Sequence, residues 1–204
     1  MVENPFRGPS PKAEMRRELI AARRALAPGA VEAAGRELAR QALALPELAR
    51  AGTVAAYVSV GTEPGTRDLL DALRRHGVRV LLPVLLPDND LDWAAYEGPA
   101  SLAEVAHPGR MRLLEPAGPR LGPDAVTGAD TVLLPGLAVD GRGMRLGRGG
   151  GSYDRVLARL AAAGARPALV VLLYDDEVVA RVPEEPHDHP VQAVATPSGV
   201  RRFG

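Results

Sequence analysis

The sequence predicts an α/β protein, a single-domain, three-layer open sheet of mostly parallel strands with helices on both faces. Apolar, β-branched segments alternate along the chain with segments of helical periodicity. Residues 168–174 form an uninterrupted apolar run, which is typical of a central parallel strand. A glycine-rich segment stands between one strand and the next helix. In such sheets ligands bind beyond the carboxyl ends of the strands.

Length and composition predict one folding unit. The chain has 204 residues, and 46% of them are hydrophobic, which is enough for a sizeable core. No internal repeat and no linker divides the sequence. We therefore predict a flexible N-terminal tail over residues 1–11 and a single domain over residues 12–204.

The charge balance and residue usage exclude several classes of function. Lys plus Arg and Asp plus Glu each number 25, and this zero net charge argues against a nucleic-acid partner. The absence of cysteine excludes disulfides and thiolate catalysis. The sequence shows no signal peptide and no membrane-spanning run, so we expect a cytoplasmic protein without a membrane partner. A monomer is the simplest expectation, although composition does not determine oligomeric state.

Hydrophobic periodicity, together with the positions of glycine and proline, predicts the helices and strands along the chain. The predicted helices are 12–26, 31–45 up to Pro46, 66–77 with Thr66 as N-cap, the segment from Tyr153 to Ala161, and 175–181. The predicted strands are 53–60, 78–82 up to Pro83, 91–96, 130–134, 168–174 and 191–195. Residues 97–128 are too rich in proline and glycine to assign.

The first predicted helix carries three basic residues along one edge of its apolar side. Lys12, Arg16 and Arg23 fall within about 40° of one another at ~100° per residue. Lys12 is also the only lysine in a chain that otherwise uses arginine. These residues either point towards a site where the helix docks or are bases at the rim of an ordinary amphipathic helix.

The segment 141–153 (GRGMRLGRGGGSY), followed by Asp154, is the strongest candidate for a ligand site. A glycine-rich turn before a helix directs backbone N–H groups at an anion, and Arg145 and Arg148 add positive charge. It is not a P-loop, because it contains no lysine. It is not a dinucleotide fingerprint either, because Ser152 stands at the last glycine position. The alternative is a surface loop with no ligand.

Four motifs in this order resemble a known family. They read KAEMR at 12–16, YVSVGTE at 57–63, RLGRGGGSYD at 145–154 and VPEEPHD at 182–188. Together they resemble the 5-formyltetrahydrofolate cyclo-ligase family, over about residues 12–196. The resemblance implies an open sheet of the phosphosugar-isomerase and coenzyme-A-transferase type. It also implies ATP-dependent cyclisation of 5-formyltetrahydrofolate to 5,10-methenyltetrahydrofolate, with release of ADP and phosphate.

The resemblance also implies roles for individual residues. Arg148 and Lys12 would be catalytic, and Asp154 and Asp188 would bind Mg²⁺. The implied ATP-binding residues are Lys12, Arg16, Arg145, Leu146, Gly147, Arg148, Gly149, Gly150, Gly151, Ser152 and Tyr153. The implied residues for the folate are Val58, Glu63, Arg148, Gly149, Gly150, Gly151 and Ser152.

Alternatives remain open at this point. The family's loop usually has a tyrosine where this chain has Ser152, which favours a non-catalytic regulatory module that binds a nucleotide or folate. A phosphosugar isomerase-like protein is a third possibility, although such an enzyme needs no magnesium. Asp154 could simply complement the helix dipole, and Glu63 could be a solvated turn residue.

Overall fold

The computed structural model describes residues 9–108, 112–186 and 188–204. The α-helices are α1 (Pro11–Arg24), α2 (Pro28–Leu43), α3 (Pro46–Ala49), α4 (Arg67–Arg75) and α5 (Ser152–Ala162). The strands are β1 (Thr53–Ala55), β2 (Arg79–Leu85), β3 (Leu91–Ala95), β4 (Leu102–Val105), β5 (Leu113–Pro116), β6 (Thr131–Pro135), β7 (Ala138–Asp140), β8 (Arg145–Leu146), β9 (Ala168–Leu172), β10 (Val178–Val179), β11 (Ala193–Thr196) and β12 (Gly199–Arg202). The first eight residues of the predicted tail, and His187 of the fourth motif, lie outside the described residues.

A seven-stranded sheet in the order β12-β11-β9-β6-β1-β2-β3 forms the centre of the molecule. The five inner strands pair in parallel, whereas β3 and β12 pair antiparallel at the two edges. The prediction of an open, mostly parallel sheet is therefore confirmed. The antiparallel edges arise from short connections that reverse the chain, which a parallel pair cannot use.

Both faces of this sheet are buried, and the strand residues alternate between them. Leu133 of β6 packs in one core cluster with residues of α2, α3 and α4. Its neighbours Val132 and Leu134 pack in the other cluster, against Val156 and Leu160 of α5. Two covered faces explain the continuous apolar character of the inner strands, and helices on both faces are confirmed.

A smaller three-stranded sheet, β10-β7-β8, provides the docking surface for α1. Met15 and Leu19 of α1 pack against a cluster of Ala138, Leu146 and Val182. This contact lays the first helix beside the segment that contains the glycine loop. The N-terminal part of the chain is thereby brought to residues more than 130 positions away, as the Arg16–Gly147 bond described below shows.

The prediction that Pro83 ends a strand is wrong, because β2 continues through Pro83 to Leu85. The Leu81 carbonyl accepts a hydrogen bond from the Ala56 N–H on the β1 side. Pro83, two residues further on, is directed to the same side, and β1 has already ended there. The missing N–H of Pro83 therefore leaves no ladder bond unmade.

Other boundaries also differ from the predictions. Strand β1 is shorter than the predicted 53–60, and the predicted helix 175–181 is a 3₁₀ turn (Asp175–Glu177) followed by β10. Residues 97–128 contain the β4–β5 hairpin and 3₁₀ turns at Pro99–Ser101 and Pro123–Gly128. In the part of the chain that the structure describes, no helix is long and apolar enough to cross a membrane.

Thr66 precedes α4 as predicted, but its side chain does not cap that helix. Its hydroxyl donates to the Tyr57 carbonyl at 2.8 Å and accepts from the Ser59 N–H at 2.9 Å. Both partners lie in the turn that follows β1. The threonine therefore fixes the turn after β1, and this turn carries Glu63, one of the predicted site residues.

Candidate active site

A cavity opens where the direction of the chain across the sheet reverses. From β1 the chain crosses through α4 to β2 on one side, and from β6 it crosses through α5 to β9 on the other. The neighbouring carboxyl ends of β1 and β6 thus lie at a switch point, where open α/β sheets form a binding crevice. Tyr57, Val58 and Glu63 after β1 and Pro135 at the end of β6 line a cavity of ≈ 240 Å³ there.

The cavity has two chemically different walls. One wall is largely apolar and includes Val58, Val60, Pro83, Leu85, Leu91, Leu113 and Leu114. The other consists of the glycine loop and the first residues of α5, namely Arg145, Gly147, Arg148, Gly149, Gly150, Gly151, Ser152, Tyr153 and Asp154. The predicted folate residues and most of the predicted ATP residues therefore share one space.

The glycine loop leads directly into the N-terminus of α5. Gly151 is the N-cap residue in a left-handed conformation with φ 75°, and no side chain caps the helix. The first amide groups of an uncapped helix have no intrahelical partner, and the helix dipole favours negative charge near them. The loop therefore presents an anion site to the cavity, with Ser152 as the first helical residue.

Arg145 supplies a fixed, buried positive charge under this loop. Its side chain is 7% exposed, Nη1 donates to the Pro135 carbonyl at 2.9 Å, and Nη2 lies 3.4 Å from Asp154 Oδ1. Burial lowers the pKa of Arg145, and the charge of Asp154 opposes that effect. Nε of Arg145 has no hydrogen-bond partner among the residues that the structure describes.

Arg148 and Glu63 form an ion pair across the cavity. Nη1 of Arg148 lies 3.1 Å from Oε1 of Glu63, and the side chains are 44% and 8% exposed. Oε2 of Glu63 accepts a hydrogen bond from the Val60 N–H at 2.8 Å. The alternative that Glu63 is a solvated turn residue is wrong, because the carboxylate is buried and held in place.

Lys12 and Arg16 of α1 reach the edge of the site from the docked helix. Nζ of Lys12 lies 2.6 Å from Asp188 and 2.9 Å from Glu185, and Nε of Arg16 donates to the Gly147 carbonyl at 2.8 Å. Burial would lower the pKa of Lys12, but the hydrogen bonds to Asp188 and Glu185 outweigh it and raise that pKa. These contacts favour the prediction that Lys12 and Arg16 point towards a site where the helix docks. They disfavour the alternative that both are bases at the rim of an ordinary amphipathic helix.

Arg23 does not share this position, although it lies on the same edge of the helix. Its side chain is 3% exposed, and it donates to both oxygens of Glu177 at 2.6 and 2.8 Å and to the Gly136 carbonyl at 2.7 Å. Breaking such a buried pair from one side is strongly destabilising. Arg23 thus anchors α1 where the helix docks, and it is not among the described residues that line the cavity.

Some predicted residues stand behind the cavity wall. Lys12, Arg16, Leu146 and Asp188 are not among the described residues that line it. Leu146 belongs to β8, is 1% exposed, and packs in the cluster on which α1 docks. Of the other three, Arg16 contacts the glycine loop, and Lys12 contacts Asp188 in the segment that follows β10.

Two polar residues of the cavity were missed by sequence reasoning, in addition to its apolar lining. Tyr57 is 4% exposed and lines the cavity next to Val58. Glu115 is 3% exposed, accepts from the Leu85 N–H at 3.0 Å, and lies 2.8 Å from Nε2 of His107. The signal for Glu115 was a lone acid in an apolar strand, but it falls in the stretch 97–128, which had no assigned elements.

The two predicted magnesium ligands each pair with a different basic side chain. Asp154 is 54% exposed in the first turn of α5 beside Arg145, whereas Asp188 is 16% exposed and bound to Lys12. Burial lowers the pKa of Arg145, and the charges of Asp154 and Asp188 both oppose that effect, so both carboxylates act electrostatically on this residue. The described residues contain no cluster of three or more potential metal ligands. Two carboxylates fit Mg²⁺ when phosphate oxygens and water complete its shell.

The fold and the site define an open-sheet α/β protein whose cavity lies between a glycine-rich loop and a largely apolar wall. A sequence model of the 5-formyltetrahydrofolate cyclo-ligase family matches residues 9–197. The chain belongs to this family.

Individual relatives agree with that assignment. A 5-formyltetrahydrofolate cyclo-ligase from Mycolicibacterium smegmatis is 39% identical over 194 residues, covering 93% of this chain and 95% of that protein. The protein of the same name from Escherichia coli K12 is 34% identical and covers 87% and 96%. The NMR structure of Aquifex aeolicus 5,10-methenyltetrahydrofolate synthetase superposes with a TM-score of 0.78 at 27% identity, covering 94% of this chain and 92% of that one.

Proposed function

We infer that this chain catalyses the ATP-dependent cyclisation of 5-formyltetrahydrofolate to 5,10-methenyltetrahydrofolate, with release of ADP and phosphate. Membership of the family and the names of the relatives support this function. The observation that carries it is that the glycine loop lines the same cavity as Val58 and Glu63. A phosphoryl donor and a heterocycle can meet only if their sites adjoin in this way.

The reaction explains why ATP is required. A formamide carbonyl is a poor electrophile, and its oxygen cannot leave as oxide. When the formyl oxygen attacks the γ-phosphorus, the bond to the bridging oxygen breaks and ADP leaves with that electron pair. The N10 amine then attacks the formyl carbon and loses its proton, and the C–O bond breaks to release phosphate. Phosphoryl transfer requires mainly positioning and charge stabilisation from the protein.

We assign the triphosphate to the glycine loop and its surroundings. Amide groups of the loop and of the first turn of α5 would bind phosphate oxygens, and Arg145 and Arg148 would balance their charge. Arg16 would hold the loop through the Gly147 carbonyl, and Lys12 would act from the docked helix. This set includes Gly147, Gly149, Gly150, Gly151, Ser152 and Tyr153, with the backbone of Leu146.

We assign the folate to the opposite wall. Glu63 would accept hydrogen bonds from the aminopyrimidine edge of the pterin, and Val58 would pack on the ring. In the free protein one oxygen of Glu63 is paired with Arg148. We propose that Arg148 turns to the phosphates when ATP binds and releases this oxygen to the pterin. The exchange would couple the two substrates through one exposed side chain.

We propose that Asp154 and Asp188 hold Mg²⁺ with the phosphates. The ion would neutralise phosphate charge and help to align the γ-phosphoryl group. Lys12 would then leave Asp188 or share it, because the lysine now occupies one oxygen of that carboxylate. We further propose that the chain forms one domain, acts as a monomer, and works in the cytoplasm.

The direct test is the absorbance of methenyltetrahydrofolate, measured with and without ATP and magnesium. We expect product only when both are present. Arg148→Ala should lower kcat by about 10²–10³, as for the loss of one preorganised charge at a transition state. Folding should be unaffected, because Arg148 is 44% exposed and lies in a loop.

Arg155→Ala is the matched control for Arg148→Ala. Arg155 is 49% exposed and pairs with one carboxylate, Asp88, at 3.4 Å, but it does not line the cavity. Its replacement should leave kcat within about threefold. Equal kinetics in the two variants would contradict the role of Arg148. Absence of product under every condition would instead favour the non-catalytic regulatory module.

A further inference from the structure

The phenol of Tyr57 has no hydrogen-bond partner in the described part of the chain. Tyr57 is 4% exposed and lines the cavity, and its buried hydroxyl has no partner among the described residues. Leaving a buried polar group unsatisfied is costly, and native proteins rarely do so without a reason. A ligand in the cavity would provide the missing acceptor.

Comparison with the other tyrosines shows that the hydroxyls without a described partner are those that line the cavity. The chain has four tyrosines. Tyr96 donates to Asp71 at 2.6 Å and Tyr174 donates to the Thr62 carbonyl at 3.2 Å, and neither lines the cavity. Tyr153 does line it, and its buried hydroxyl has no partner among the described residues, like that of Tyr57. Unpartnered phenols thus coincide with the site.

Both cavity phenols remain protonated and can therefore donate a hydrogen bond. Burial, with the charge of Glu63, raises the pKa of Tyr57 well above its usual value. The same two causes raise the pKa of Tyr153. Nε of Arg145, also buried in this wall, is a third donor without a partner in the described structure. The cavity therefore offers three buried donors to an acceptor oxygen of its ligand.

The position of Tyr57 indicates which oxygen this is. Tyr57 directly precedes Val58 on the apolar wall, and it lines the same cavity as Tyr153 at the end of the glycine loop. In the proposed reaction the formyl oxygen must lie between the two substrates, because it receives the γ-phosphoryl group. Tyr57 faces the space that the two substrates would share. The 4-carbonyl of the pterin is the other acceptor oxygen, and a folate that lacks the formyl oxygen distinguishes the two.

We propose that the Tyr57 phenol donates a hydrogen bond to the formyl oxygen of 5-formyltetrahydrofolate. One lone pair of the carbonyl oxygen accepts this bond, and the other is held towards the phosphorus. The inference rests on the proposed function and deepens it by adding a substrate contact at the reacting atom. Tyr57 is thereby a catalytic residue as well as a determinant of which N5 substituent is bound.

The test compares Tyr57→Phe with Tyr96→Phe. Binding of 5-formyltetrahydrofolate and of 5-methyltetrahydrofolate, which lacks the oxygen, is measured by calorimetry in the presence of magnesium and a non-hydrolysable ATP analogue. We expect Tyr57→Phe to bind the formyl compound roughly tenfold more weakly and the methyl compound equally well, because one hydrogen bond is lost. Its kcat should fall roughly tenfold to a hundredfold at saturating substrate.

The Tm of the free protein separates a ligand contact from a structural role. Tyr57→Phe should keep or raise the Tm, because it removes a buried hydroxyl that has no partner in the described structure. Tyr96→Phe loses the bond to Asp71 and should lower the Tm while it leaves folate binding unchanged. A lower Tm for Tyr57→Phe would overturn the proposal.

The remaining outcomes are also decisive. Equal weakening of both folates would place the phenol on the pterin and overturn the contact with the formyl oxygen. Unchanged binding and kcat in Tyr57→Phe, with an active parent, would overturn this inference and leave the proposed function intact. A parent that binds the formyl compound through Tyr57 but yields no product would refute only the proposed function. A parent that binds neither folate would overturn both.

Discussion

The residues that assemble this site differ in how readily sequence alone could place them. Helical periodicity puts Lys12 and Arg16 on the edge of the apolar side of their helix, and in the structure both bond to segments far along the chain. Arg23 shares that edge but reaches an acid, Glu177, in a stretch wrongly predicted as helix. Periodicity gives the face of a residue, whereas its partner depends on tertiary packing.

Tyr57 and Glu115 are functional candidates that the sequence alone does not reveal. Both are buried in the cavity wall, but neither stands out in the sequence from an ordinary core tyrosine or a surface acid. What distinguishes them is their surroundings: an unpartnered hydroxyl and a carboxylate held by an amide and a histidine. Such features emerge only when distant segments are brought together.

Lys12 leads to a prediction at the residue scale. We expect Lys12→Ala to raise KM for ATP roughly tenfold, because a charge-assisted contact to phosphate is lost. KM for the folate should change less than twofold, since the lysine does not line the cavity among the described residues. Steady-state kinetics with each substrate varied in turn provide the measurement.

The matched control for Lys12→Ala lies on the same helix. Arg17 is 65% exposed and pairs with Glu14 within α1, so Arg17→Ala should leave both KM values unchanged. Equal increases in KM for ATP and for the folate in Lys12→Ala would contradict a phosphate role. They would indicate instead that Lys12 merely anchors the tail through Asp188 and Glu185.

At the scale of elements, the glycine loop was the best-predicted feature. Its place between a strand and a helix follows from local sequence and holds in the structure, where the loop lines the cavity. The two-residue strands β8 and β10 and the hairpin β4–β5 were not predicted. Strands this short contain too little alternation to show a period of two.

Two adjacent glycines of the loop should respond differently to a methyl group. Gly149 has φ 90°, and an added Cβ would lie 3.3 Å from the guanidinium carbon of Arg16. A Cβ on Gly150 would have no neighbour within 4 Å among the described residues. We expect Gly149→Ala to lower the free energy of unfolding by about 1–2 kcal/mol, the usual cost of a left-handed non-glycine residue.

Urea unfolding of the free protein measures this difference. Gly150→Ala should change the unfolding free energy by less than about 0.5 kcal/mol, as surface substitutions usually do. The comparison uses the same residue change at neighbouring positions, so chain entropy is matched. Similar unfolding curves for both variants would show that the loop adopts another conformation or is too mobile for the backbone to matter.

At the scale of the whole molecule, the sheet explains why the site lies where it does. Alternating segments predicted a parallel sheet, and with it a site at the carboxyl ends of the strands. The order of the strands could not be predicted, because the pairing of β1 with β6 joins segments separated by 75 or more residues. That pairing creates the switch point and brings Glu63 opposite Arg148.

The last prediction joins two parts of the molecule that only the fold connects. Asp154 begins α5, Asp188 lies in the tail before β11, and both act on Arg145. We predict that Asp154→Asn and Asp188→Asn each raise the magnesium concentration needed for half-maximal activity at saturating ATP. The double variant should be worse than either but less than additive, because both carboxylates serve one ion.

Asp88→Asn is the control for this magnesium titration. Asp88 is 68% exposed and lies 3.4 Å from Arg155, much as Asp154 lies 3.4 Å from Arg145. Loss of a surface carboxylate alone should leave the magnesium requirement unchanged. Asp188→Asn should also raise KM for ATP, because it releases Lys12, whereas Asp154→Asn should not. If both single variants keep the magnesium requirement of the parent, the ion is held by the phosphates and other groups, and the shared site is refuted.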